Sequence, residues 1–172
     1  MDVILLTFTA HSLNFFDEEK IYMDPQTFFP IIVERDINVF GKKETIIERY
    51  QSDKGIVTLT KKSGDETSQE EIKKTGKLDN IYCFIYRYRL KGTFKVGDSL
   101  NINLPTKDVV MKVKKKTKIK AAGETHEAYF LETEPSQFSV WFEAGEKKIP
   151  LRIDGAAGIG QAVMIMTEFK AN

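Results

Sequence analysis

Lys112, Lys114, Lys116, Lys118 and Lys120 stand at alternate positions in KDVVMKVKKKTKIK. Alternate side chains of a strand project from one face, so this spacing predicts a ladder of five ammonium groups. A ladder of that kind suits an anionic surface: phospholipid head groups, a polyanionic glycan or nucleic acid. The same pattern describes a solvated strand face, or an edge that lysines protect from aggregation. The following stretch, ETHEAYFLETE, carries Glu124, Glu127, Glu132 and Glu134, which predicts partial neutralisation across strands. No aromatic residue interleaves the lysines, which argues against stacking on single-stranded nucleic acid. A formal net charge of +1 argues against nucleic acid in general.

Other chemistry is sparse. Glu34 with Asp36, and Glu132 with Glu134, share strand faces in a spacing that suits acid–base work, and equally suits wet acidic faces. His11 and His126 sit in no metal-ligand spacing, so no metal or other cofactor is expected. Cys83 is the one cysteine and lies in an apolar run, the setting of a buried, inert thiol. No catalytic residue is assigned.

The stretch KKIPLRIDGAAGIGQAVMIM holds Gly155, Gly158 and Gly160. Their spacing is GxxGxG rather than GxGxxG, and no GK[ST] follows. A phosphate loop opens a helix, whereas QAVMIMTEF alternates like a strand. The glycines therefore predict a loop of positive φ between two strands. Trp141 and Phe142 are adjacent and so face opposite ways in a strand. One is expected in the core; the other covers a second element or lines a ligand cavity.

These residues need strands to place them, and the dominant period is two. Leu100 to Leu104 alternates strictly; Ile4, Leu6 and Phe8 share a face, as do Ile149, Leu151 and Ile153. Turn signals such as Asp24-Pro25, Gly97-Asp98 and Ala122-Gly123 separate the runs. The expectation is a mainly β chain: an antiparallel, strongly curved or rolled barrel-like sheet of nine or ten strands. At 172 residues, one domain spanning 1–172 is expected. The polar stretch 61–77 predicts a mobile loop or frayed helix. Segment 78–92 is ambiguous. Ile81, Phe84, Ile85 and Tyr88 follow helical spacing, with Asp79 as N-cap and Gly92 as stop, which favours a helix over 79–90. A strand would instead gather Tyr82, Phe84, Tyr86 and Tyr88 on one face.

Residues 21–50 can be laid over 140–169. Both read aromatic strand, turn, proline, apolar strand, glycine, strand. Pro30 and Pro150 fall one residue out of that alignment. The shared unit predicts a three-stranded meander.

The ordered set YMDPQTFFPIIVERDI, KVGDSLNI, KIKAAGETHEAYFLE and VWFEAGEKKIPLRIDGAAGIGQAVMIMTEF resembles a bacterial family of exported proteins, domain of unknown function 3108. The resemblance implies a β-dominated rolled sheet, a helix at 79–90 and a periplasmic or exported location. It carries no catalytic residue to this chain. Family members usually have a leader and further strands before the matching stretch, which implies an open edge or a replacement partner for the strand at 3–9. The first residues, MDVILLTFTAHS, do not read as a signal peptide. The D-P-x-T-x-x-P turn is similar to that of periplasmic lipoprotein carriers with a half-barrel sheet.

Three functional expectations follow. The first is a non-enzymatic envelope module touching anionic lipid or glycan through the lysine ladder, with no nucleic acid and no transmembrane segment. The second is a hydrolase or lyase of an envelope polymer using paired carboxylates. The third is an interaction domain completed by a partner strand or a homodimer.

Overall fold

The computed structural model describes residues 2–156 and 161–170. Among them the chain is mainly β, with two six-stranded antiparallel sheets and one α-helix. The first sheet is β1 (Ile4–Ser12), β2 (Phe15–Met23), β3 (Pro30–Val39), β4 (Lys42–Gln51), β5 (Ile56–Ser63) and β6 (Glu66–Lys73), in that order across the sheet. Helix α1 (Ile81–Lys91) follows. The second sheet is β7 (Ser99–Leu104), β8 (Lys107–Ala121), β9 (Glu124–Glu134), β10 (Ser139–Glu143), β11 (Pro150–Ala156) and β12 (Gln161–Ile165), again in chain order across the sheet. Neither sheet closes into a barrel. The chain divides into two compact units, residues 1–84 with 103–107, and residues 85–102 with 108–172.

The antiparallel strands and the helix match the reading of the sequence. The count of twelve strands exceeds nine or ten chiefly because the polar stretch 61–77 is not a loop. Its first part completes β5, and Glu66–Lys73 forms β6, paired from Ser63↔Glu66 to Ile56↔Lys73. Thr58, Thr60, Thr67 and the β-branched Ile72 suit strands, and Gly64 supplies the positive φ of the turn. Composition alone hid this because β6 is exposed along nearly its whole length.

Helix α1 starts one residue later than Asp79 predicts. Asn80 is the cap: its Oδ1 accepts the backbone N–H of Tyr82 at 2.9 Å and of Cys83 at 3.4 Å. Gly92 ends the helix, its N–H donating to the Tyr88 carbonyl at 2.7 Å.

In the first unit the core holds Ile21, Met23, Val33, Val57, Leu78 and Phe84. In the second, Phe142 is fully buried, with Phe94 at 5.1 Å and Tyr88 at 5.9 Å between ring centroids. The two sheets share a local device. In the first, β2 and β3 pair as Tyr22↔Ile32 and then Met23↔Pro30, which bulges Ile31. In the second, β10 and β11 pair as Trp141↔Arg152 and then Phe142↔Pro150, which bulges Leu151. Proline begins the strand in both cases, where its missing N–H is tolerated. The turn between the paired positions is one residue longer in the second sheet, which is why the two prolines fall out of alignment.

Gly155 lies inside β11 rather than in a turn, opposite Ala162. Its hydrogen side meets the Phe138 ring: an added Cβ would stand 2.4 Å from Cδ1. Close packing, not backbone conformation, requires this glycine. The next described element is the strand β12. Gly158 and Gly160 lie outside the described residues. Gly155→Ala is expected to displace the buried Phe138 ring and to lower the unfolding free energy by about 1–3 kcal/mol, as read by urea denaturation with an unchanged slope.

Candidate functional site

The basic strand β8 is not a one-faced ladder. Val113 pairs with Leu131, but Lys115 pairs with Phe130 and Lys116 with Tyr129, so Lys114 is the extra residue of a β-bulge. One inserted residue exchanges the two faces for everything beyond it. Lys112 and Lys114 reach Glu134 on one face, at 2.5 and 3.1 Å. Lys116 lies over the Tyr129 ring, 5.8 Å from its centroid, and pairs with Glu127 at 3.1 Å on the other face. Lys118 pairs in register with Glu127 and Lys120 with Thr125, both exposed. The expected cross-strand neutralisation is therefore present. Lys116 draws the Glu127 carboxyl below its ordinary range, and Lys112 and Lys114 do the same to Glu134.

The lysines also have a structural use. Strand β7 has six residues and β8 fifteen. Past Val113, which bonds with Gly97 and Asp98, β8 outruns the neighbour on its β7 side. The lysine-dense stretch 114–120 coincides with that open edge, where charge opposes pairing with another chain.

The bulge builds something else. Lys115, Phe130, Trp141, Arg152 and Ile165 stand opposite one another across β8 to β12. They form a row on one face. The Lys115 ammonium lies 5.9 Å from the Phe130 centroid, the Phe130 and Trp141 rings are 4.6 Å apart, and the Arg152 guanidinium is 4.9 Å from Trp141. The rings attract these cations through their negative faces. Beside this row runs a second, from Lys112 through Glu132, Ser139 and Asp154 to Val163. Arg152 ties the rows together, donating from both Nε and a terminal nitrogen to Asp154 at 2.7 Å. Phe130, Trp141, Arg152, Glu132 and Asp154 are all half-buried. Trp141 and Phe142 do face opposite ways, as adjacency requires. Phe142 fills the core. Trp141 joins the row, and its inner edge packs against Ala121, Ala128 and Leu151. An open recess of about 380 Å³ nearby is lined by Lys120 to Gly123 and Ile165 to Thr167, and so by neither Trp141 nor Phe142.

Glu34 and Asp36 are engaged singly, whereas Lys114 bridges Glu132 and Glu134 at 4.0 and 3.1 Å. Glu34 accepts the Tyr22 hydroxyl at 3.2 Å, and Asp36 the Thr45 hydroxyl at 2.8 Å. Glu132 accepts the Ser136 hydroxyl at 2.9 Å, while Glu134 holds two lysines. The pairs belong to different units. Among the described residues no cluster of three or more His, Cys, Asp or Glu side chains is placed to hold a metal. Among the described residues no helix is long and apolar enough to cross a membrane.

A family model described as Protein of unknown function (DUF3108) matches residues 2–167. The chain belongs to this family. No curated protein and no solved structure matches it, so the likeness to lipoprotein carriers finds no support there. The family description names no activity, and the site must be argued from its own chemistry.

The first unit holds an acidic cluster that sequence reasoning missed. Asp17 and Glu19 stand on the same face of β2 as buried Ile21 and Met23. Arg35, opposite Glu19, grips Asp17 through Nε at 2.7 Å and through a terminal nitrogen. Glu48 accepts the Tyr50 hydroxyl at 2.5 Å. Asn80 hydrogen-bonds Glu19, and the Tyr82 ring stacks on Phe8 at 4.1 Å. Three carboxylates thus share one guanidinium. Burial pushes the Glu19 carboxyl up to about 7, Arg35 opposes that, and Glu48 and Asp17 add to it. Burial likewise raises Glu48 and pushes the Tyr82 hydroxyl up to about 12.

The linkage follows in sign. Between the ordinary 4.5 and the folded value of about 7, the native chain holds a Glu19 proton that the unfolded chain has released. Stability contributed by this group is full below the lower value and falls as pH rises through the window. Wild type is expected to lose about 2 kcal/mol between pH 5 and pH 8, a figure discounted for partial solvent access. Glu19→Gln is expected to flatten most of that slope in urea denaturation at both pH values.

Proposed function

We propose that the protein is a non-enzymatic binding module of the bacterial envelope whose ligand is a glycan strand laid across the face of β8 to β12. One observation carries the reading: the half-buried Phe130 and Trp141 rings paired in register, tilted 34° to each other, between Lys115 and Arg152. A planar ring offers apolar area to the C–H face of a sugar at little entropic cost, since it has few rotatable bonds. Arg152, Asp154, Glu132 and Ser139 in the adjoining rows offer donors and acceptors to its hydroxyls. Trp and Arg are also the side chains that most often dominate binding energy.

The cations around the site do not favour a diffuse anionic surface as the ligand. Lys112 and Lys114 share Glu134, Lys116 is paired with Glu127 and Arg152 with Asp154, which weakens the long-range field. Location in the envelope rests on the family resemblance.

Trp141 is the single tryptophan, so its emission reports on this face alone. Titration with solubilised peptidoglycan strands is expected to give a saturable change in emission that persists from 50 to 500 mM salt. Phe130→Ala and Arg152→Ala are expected to weaken it about tenfold or more, in line with the cost of losing a binding hot spot. No change with glycan, or a change only with anionic vesicles that vanishes in salt, overturns the reading.

A further inference from the structure

One end of the first sheet carries an exposed apolar tip. The β1–β2 turn is Leu13-Asn14, between the paired Ser12 and Phe15, and the β3–β4 turn is Phe40-Gly41, between the paired Val39 and Lys42. The Phe40 N–H donates to the Asn14 carbonyl at 2.8 Å, which ties the two turns together. Leu13 is 98% exposed, Phe40 79%, and Phe16, just past the first turn, 39%. The β3–β4 turn joins two inner strands, each paired on both sides.

Phe40 is held outward against its own preference. Both central residues of its turn have positive φ, 50° and 83°. Asn-Gly is the pair that suits this geometry, because asparagine and glycine enter the left-handed region with least strain. A phenylalanine there is strained, and its exposed ring gains little burial in return. The fold gains nothing from this ring, whereas an apolar medium outside the chain would.

Charge and area indicate which medium. Lys42 and Lys43 follow the tip directly and, as neighbours in a strand, stand on its opposite faces. Among the described residues neither ammonium group has a carboxylate partner; Glu44 beside them is held by Lys61 at 2.6 Å. Asp65 and Glu66 lie farther along, at the β5–β6 turn. Three side chains on two turns offer a few hundred Å², short of the roughly 800 Å² that each partner of a stable protein pair contributes. A lipid surface needs only a few apolar side chains with cations beside them. We propose that this end of the first sheet inserts Leu13, Phe16 and Phe40 shallowly into an anionic phospholipid surface, with Lys42 and Lys43 at the level of its phosphate groups.

Flotation with phosphatidylglycerol-containing vesicles tests this, with phosphatidylcholine vesicles as the neutral comparison. Wild type is expected to float with the anionic vesicles, less so as salt rises, and hardly with the neutral ones. Leu13→Ser with Phe40→Asn is expected to weaken binding about tenfold or more, from the apolar area lost. Lys42→Gln with Lys43→Gln is expected to weaken it and to remove most of its salt dependence. Lys118→Gln with Lys120→Gln, in the other unit, is expected to leave it unchanged. Phe40→Asn alone is expected to raise the urea midpoint while weakening flotation, an opposition that a structural role for the ring would not produce. A wild type that does not float, flotation untouched at Leu13 and Phe40, flotation lost only with Lys118 and Lys120, or a lower urea midpoint for Phe40→Asn would each overturn the proposal. So would light scattering without vesicles that shows wild type self-associating through Phe40. Emission of Trp141 does not enter these readouts, so this account and the glycan reading fail separately.

Discussion

One inserted residue in β8 decides what the second sheet can present. Strand geometry sends neighbours to opposite faces, and pairing holds that alternation rigidly. Lys114 has no partner opposite it on β9, so the alternation restarts in the other phase. Without that extra residue Lys114 would stand opposite Phe130, and Lys115 opposite Tyr129. With it, Lys112, Lys114 and Lys115 share a face with Glu132, Phe130 and Trp141, while Lys116, Lys118 and Lys120 take the face of Tyr129 and Glu127. A run that reads as one ladder is two short ones. Glu134 holds Lys112 and Lys114 of the first, and Glu127 holds Lys116 of the second. What remains distinctive is the aromatic pair between two cations.

The first sheet obeys a different constraint. Its β2 turns Asp17 and Glu19 toward the interior, where an unpaired carboxylate is costly. Arg35 answers for Asp17, and Asn80 for Glu19. Asn80 at the same time caps α1. One side chain thus couples the start of the helix to a carboxyl that resists ionising. Protonation of Glu19 is the low-cost way to hold three acids around one guanidinium.

Much of this architecture was legible. Strict alternation gave the strands, and the spacing of Ile81, Phe84, Ile85 and Tyr88 gave the helix, since both periods are local. Pro30 and Pro150 marked equivalent strand starts, and their one-residue disagreement recorded a longer turn. The candidate face was half visible. Trp141 and Phe142 split across the sheet as neighbours must, and Lys112 and Lys114 lie beside it. Arg152, Phe130 and Lys115 were missed because register is not local: a bulge of one residue leaves no mark in KDVVMKVKKKTKIK. Strand β6 was missed because a strand wet on both faces shows no alternation of hydropathy. Asp17 and Glu19 were missed because charge suggested solvent. Their parity with Ile21 and Met23 was the available signal.

The register at the bulge is the claim on which the binding face depends, and nuclear Overhauser contacts across β8 and β9 read it directly. Isotope-labelled protein is expected to show cross-strand contacts of Lys115 with Phe130 and of Lys116 with Tyr129. Contacts of Lys114 with Phe130 and of Lys115 with Tyr129 would mean an unbroken alternation and a single lysine ladder, with Lys112, Lys114, Lys116, Lys118 and Lys120 all on the face of Phe130 and Trp141, and would contradict the account.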